Sequence, residues 1–201
     1  MNGAEFTLLD ARLRRSGYRT VLFEYPTVRR GLEENAAALW MFLEARFGSG
    51  LGAVPQGSVH LVCHSLGGLV ALRMLECHPE APIGRMVALG APFQGSISAR
   101  RLARWPVGAR LLGESLNRAL DGQRCFETPP GRRIGVLAGT LALGWSHLIW
   151  GLEEPNDGVI TVAETRLPGA WHFTLPVMHV GLVFSRRAGL LVRRFLALGA
   201  W

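Results

Sequence analysis

Lysine is absent from this chain. All 22 basic residues are arginines, and against 15 acidic residues they leave a formal net charge of +7. The arginines fall in scattered pairs such as Arg14–Arg15, Arg132–Arg133 and Arg193–Arg194. That distribution reads as solvated helix faces, and it lacks the aromatic-interleaved basic stripe of a nucleic-acid binder. No nucleic-acid partner is expected. Attraction of anionic substrates, or transient contact with a membrane surface, stays open as an expectation. Cysteine is scarce. Cys63, Cys77 and Cys125 are an odd set that builds no disulfide framework, which points to a reducing compartment and a cytoplasmic location. No charged segment followed by an apolar stretch opens the sequence, so a signal peptide is not expected. Metal-ligand spacings and phosphate-cradling glycine loops are missing as well, and no cofactor is inferred. One uncharged run, residues 134–152, is long enough to raise a membrane span. Gly135, Gly139, Gly144 and Gly151 interrupt it, so a strand followed by an apolar loop is the better account.

What the chain does have is core-forming material. Of 201 residues 49% are hydrophobic, enough to bury one sizeable core, and 25 glycines suit many tight turns. Residues 5–16 carry Leu9 and Leu13 on one helical face, with Gly17 as the stop, and YRTVLFEY at Tyr18–Tyr25 reads as a strand. Leu32–Phe47 is amphipathic. Then come an apolar strand at Val59–Val62, a helix from Leu66 that Pro79 ends, strands at Gly84–Gly90 and Arg132–Thr140, and a final strand and helix. Strands alternating with helices predict an α/β fold, a mostly parallel sheet with helices on both faces, in one domain spanning 1–201. Between Ile97 and Pro130, Leu102, Trp105, Leu111 and Leu116 among charges predict short helices, either a cap over the sheet edge or a packing helix.

The most informative stretch is VHLVCHSLGG, Val59–Gly68, an apolar strand running into a sharp bend and a helix with Ser65 at the bend. A serine so placed is strained, exposed and close to helix N-terminal amides, the setting of a nucleophile beside an oxyanion site. Gly67 and Gly68 give the needed small residues, while Cys63 replaces the first glycine of the Gly-X-Ser-X-Gly pattern. A serine hydroxyl needs a base within hydrogen-bond reach, and the base needs a carboxylate to fix its tautomer. Ser65, Asp157 and His179 could supply nucleophile, acid and base. His172 rivals His179 but lies inside an apolar strand, whereas His179 follows it; His60, His78 and His147 suit structural roles. Asp157 is preferred over Glu153 and Glu154 because the Asn-Asp-Gly turn projects a short carboxylate from a tight loop.

Here the sequence resembles the α/β-hydrolase superfamily, in particular its lipase and esterase-like members with a His-Ser-Leu-Gly-Gly elbow, seen at His64–Gly68. LGAPFQGS (Leu89–Ser96), NDGVITVAETRLPGA (Asn156–Ala170) and LPVMHVGLVFS (Leu175–Ser185) resemble the stretch after the elbow helix, the acid loop and the histidine loop, so the likeness runs nearly end to end. The resemblance implies a serine hydrolase cleaving carboxylic esters of small molecules or lipids, with Ser65, Asp157 and His179 as triad and the Leu66 amide in the oxyanion hole. Trp145, Leu148, Ile149 and Trp150 are candidates for an acyl pocket. An acyltransferase with the same triad, and a non-catalytic domain that binds lipid or a partner, are the alternatives. The departure lies at the front. Such proteins usually carry a strand ending in His-Gly before the first helix, and its loop gives the second oxyanion amide. Here Met1-Asn2-Gly3 falls inside that loop, and either a start taken too far downstream, a truncation or a degenerate homologue would account for it. The expectation is a gap between the Tyr18 and Val59 segments, or a rearranged pairing.

Overall fold

A computed structural model describes residues 3–26, 30–47, 55, 57–105, 126–142, 152 and 155–201. Four strands, β1 (Val59–His64), β2 (Ile83–Leu89), β3 (Arg133–Gly139) and β4 (Trp171–Leu175), form one sheet in the order β1-β2-β3-β4. Each neighbouring pair is parallel, with Cys63 beside Ala88, Ala88 beside Val136 and Val136 beside His172. All strands therefore deliver their carboxyl ends to one rim, where ligands bind in open α/β sheets.

Alternation along the strands divides the core in two. Met86, Ala88, Ile134 and Val136 face one layer, packed against α2 (Leu32–Phe47) and α3 (Leu66–Cys77). Val87, Leu89 and Leu137 face the other, against α1 (Thr7–Arg15), the short α5 (Gly181–Phe184) and α6 (Arg186–Leu198). Helices thus cover both sheet faces, as the period-two pattern of the strands requires. Gly135 in β3 is a packing necessity, since a Cβ there would meet the Phe195 ring at 2.9 Å.

The expected helices at 5–16 and 32–47 are present, the first preceded by a 3-10 turn, Gly3–Phe6. The expected strand at Tyr18–Tyr25 is not. These residues join no sheet and are held locally instead: Arg14 Nη2 donates to the Thr20 carbonyl at 2.9 Å, Thr20 Oγ1 donates to Asp10, and the Phe23 ring stacks on Tyr25 at 5.6 Å and lies 5.2 Å from Phe42. Strand propensity without a neighbouring strand has no ladder to join. Among the described residues β1 consequently ends the sheet, and of the two outcomes expected at the front they contain a gap. Of the cap expected in 97–130, a single helix, α4 (Ile97–Ala103), is described; residues 106–125 lie outside the described set. No helix among the described residues is long and apolar enough to cross a membrane.

Candidate active site

At the carboxyl end of β1 the chain reverses through Ser65, whose φ of 52° and ψ of −129° make it the one non-glycine residue with positive φ among those described. An L-residue in that region is strained by about 1–3 kcal/mol and persists only where its surroundings hold it. Two bonds do so. The Ser65 amide donates to the Leu89 carbonyl of β2 at 2.8 Å, and the Ser65 carbonyl accepts from the Gly68 amide at 3.0 Å as α3 begins. Gly68 is needed behind the bend, because a Cβ there would lie 2.4 Å from that of Ala91. The hydroxyl is half-buried, and the first α3 amide, that of Leu66, lies beside it without an intrahelical acceptor.

Asp157 sits in a loop built to hold a carboxylate. Its side chain is fully buried, and Oδ1 accepts from the amides of Val159 at 3.0 Å and Ile160 at 2.8 Å. Asn156 Oδ1 accepts from the Gly158 amide at 2.9 Å, the Asx turn that an Asn-Asp-Gly sequence favours. The free oxygen, Oδ2, accepts from His179 Nδ1 at 2.8 Å, and the His179 amide donates to the Asp157 carbonyl at 3.0 Å. Side chain and backbone are locked together. With Nδ1 carrying the donated proton, Nε2 is the atom left with a lone pair.

Gly90 adjoins both Ser65 and the pair. This glycine directly follows the Leu89 carbonyl that holds Ser65, and a Cβ on it would stand 2.9 Å from His179 Cε1 and 3.0 Å from Nδ1. Neither Ser65 Oγ nor His179 Nε2 has a hydrogen-bond partner among the described residues. Gly139, at the end of β3, gives Asp157 equivalent room, since a Cβ there would fall 2.6 Å from the Asp157 Cβ.

The rival base is committed elsewhere. Thr165 Oγ1 donates to the Val162 carbonyl at 2.8 Å and so accepts from His172 Nε2, also at 2.8 Å. Burial, aided by the Arg166 charge, pushes the His172 imidazole down to about 4. Burial pushes the Cys63 thiol up to about 12, so it stays protonated beside the bend. Trp145, Leu148, Ile149 and Trp150, along with His147, Glu153, Glu154 and Cys125, lie outside the described residues.

Several contacts around these residues carried no sequence signal. His64 Nε2–H donates to the His179 carbonyl at 3.2 Å, and its Nδ1 stands 3.4 Å from Glu5 Oε2, too loosely placed for a hydrogen bond. The imidazole nevertheless holds the Glu5 carboxyl below its ordinary range. The APFQGS segment braces the acid loop: the Ile97 amide donates to Glu164, and Ser98 Oγ donates to the Val159 carbonyl at 2.7 Å. Contacts between residues 59 and more positions apart leave no local pattern. A glycine at a strand end, as at Gly90 and Gly139, is the one trace the sequence could have offered.

The model of the Alpha/beta hydrolase family matches residues 2–197. The chain belongs to this family. Its fold is also that of solved members with far-diverged sequences. A lipase from Bacillus licheniformis in its mature form matches with a TM-score of 0.71 at 21% identity, covering 99% of this chain and 87% of that one. The phospholipase PlaB from Legionella pneumophila, in complex with thio-NAD, matches with a TM-score of 0.79 at 13% identity; all of this chain is covered but 56% of the phospholipase. A metagenomic carboxyl esterase gives 0.68 at 18%, over 97% of this chain and 73% of that one. At such identities the likeness is one of fold. No curated protein sequence matches the chain.

Proposed function

We propose that this alpha/beta hydrolase domain is a serine hydrolase of carboxylic esters, with Ser65 as nucleophile, His179 as base and Asp157 as the orienting acid. The observation that supports the reading is the strained, half-buried Ser65 on the same rim as a buried Asp157–His179 pair, with Gly90 beside the His179 ring and next in the chain to the Leu89 carbonyl that Ser65 bonds. Ser65 Oγ attacks the ester carbonyl carbon while His179 Nε2 takes its proton; the tetrahedral oxyanion forms near the Leu66 amide at the start of α3. Collapse expels the alcohol, which receives the proton from His179. Water, activated by the same imidazole, then releases the acid and restores the serine; an alcohol in place of water would make the second step acyl transfer. Throughout, Asp157 keeps the imidazole in its Nδ1–H tautomer and stabilises its charged form.

The family membership and the lipase, phospholipase and esterase neighbours support ester chemistry. The uncharged segment with Trp145, Leu148 and Trp150 is proposed to contact the acyl chain, and cytoplasmic residence is proposed from the odd cysteine set. Turnover of p-nitrophenyl acetate, butyrate and palmitate, with Ser65→Ala as control, tests the proposal. Ser65-dependent hydrolysis of at least one ester, and loss of labelling by a fluorophosphonate in the variant, is the expected result. Turnover unchanged in Ser65→Ala, or none in either protein, would leave a non-catalytic binding domain.

A further inference from the structure

Beside the proposed base lies a second imidazole for which the ester chemistry has no use. His64 is 3% exposed and ends β1, one peptide bond ahead of Ser65. Its ring stands 4.7 Å from the His179 ring, tilted by 41°, and the Phe6 ring meets it edge-on at 6.4 Å. A carbonyl oxygen can only accept, so the 3.2 Å contact between His64 Nε2 and the His179 carbonyl is an N–H donated by the ring. The same carbonyl accepts from the Leu182 amide at 3.2 Å, where α5 opens. His64 thus joins Ser65 to the histidine loop across 115 positions of chain.

Glu5 faces the remaining ring nitrogen. With Nε2 protonated, a bare Nδ1 lone pair would confront the Glu5 carboxylate at 3.4 Å in a buried setting, whereas a second proton on the ring turns that repulsion into attraction. The charge is felt at Glu5: the His64 imidazole, with a smaller contribution from His179, holds its carboxyl below the ordinary range. The neighbouring α5, Gly181–Phe184, brings no titratable side chain. We propose that His64 and Glu5 are a positioning pair for His179: His64 ties the backbone of the base to the strand that carries Ser65, and Glu5 holds the His64 ring in the orientation that does so. This rests on the reading of Ser65 as nucleophile and His179 as base. Asp157 locks His179 to the acid loop alone, through Nδ1 and the backbone. The tie from His64 supplies the other constraint, and a misplacement of about 1 Å between such groups costs about 10²-fold in rate.

Three variants test the pair: His64→Gln, whose amide reaches as far as Nε2; His64→Asn, whose amide stops near Nδ1; and Glu5→Gln, which removes the charge. On the ester that the parent turns over, KM should stay nearly constant while kcat remains within about fivefold of the parent in His64→Gln, falls about 10²-fold in His64→Asn and about tenfold in Glu5→Gln. A second reading asks nothing of ester chemistry. In a Ser65→Ala background the His179 Nδ1–H, bonded to the buried Asp157 carboxylate, should give a low-field proton resonance that is assigned by its loss in His179→Ala. It should stay sharp with His64→Gln and exchange away with His64→Asn. If the parent hydrolyses no ester, the catalytic reading falls and the resonance alone decides the positioning. Should His64→Asn not fold, His64→Phe takes its place. Equal kcat and equal resonances in the Gln and Asn variants overturn the proposal, as does a parent without the resonance, in which the base would not be held. A fall in kcat that tracks a lowered Tm and leaves the resonance intact overturns it too, since His64 would then serve packing alone.

Discussion

Two substitutions at Ser65 separate its chemistry from its strain. With φ at 52°, alanine keeps the backbone penalty and loses the hydroxyl, whereas glycine loses both. Ser65→Gly is therefore expected to be more stable than Ser65→Ala by about 1 kcal/mol in urea titrations, while both lack turnover. Equal midpoints would mean that the bend is not strained. Gly90 permits a sharper test of positioning. Its φ is 58°, and a methyl group would press on the His179 ring at 2.9–3.0 Å, so Gly90→Ala should tilt the imidazole away from Ser65. The expected signature is a fall in kcat of about 10²-fold or more with KM little changed, because a misplaced base is felt in the transition state more than in binding. A proportional rise in KM would assign Gly90 to the substrate pocket instead.

Elements show where sequence reading succeeds and where it stops. The helix 32–47 is legible because Leu39 and Leu43 sit one turn apart, and β1 with α3 is legible because an apolar run changes period at a serine two residues ahead of a Gly-Gly pair. The segment 18–25 carries the same local signal as a strand, yet a strand exists only where a neighbour completes its ladder, and none among the described residues pairs with it. The three polar residues of the rim were identifiable from turn chemistry and order along the chain. Glu5, His64, Gly90 and Gly139 were not, since what they do depends on contacts across the fold. Packing at the elbow gives the element-scale prediction. Gly68→Ala places a Cβ 2.4 Å from Ala91 and 3.4 Å from the buried Phe93 ring, with rigid backbone behind both. The variant should unfold at lower denaturant by about 1–3 kcal/mol, whereas Gly67→Ala, whose Cβ would meet the Tyr25 hydroxyl at 3.6 Å, should stay within about 1 kcal/mol of the parent.

For the molecule as a whole, titration of buried groups sets the working range of pH. Burial lowers the imidazoles of His172, to about 4, and of His60, each with a nearby arginine adding to the effect. Between pH 6.5 and those lowered values the unfolded chain binds protons at both positions that the folded chain does not, so stability rises with pH across that window and is flat above it. Glu5 and Asp10 act further down. The His64 imidazole beside Glu5 and the hydrogen bond from Thr20 to Asp10 hold these carboxyls below their ordinary values, so the stability they contribute is present above that range and is lost as pH falls through the lowered one. Urea midpoints should thus decline in two stages on acidification, first below pH 6.5 and again below about 4.5. His172→Gln, which keeps a donor for Thr165 and does not titrate, should shallow the first stage and leave the second. A single decline confined to the carboxylate range, identical in parent and variant, would mean that His172 exchanges protons as freely in the folded chain as in the unfolded one.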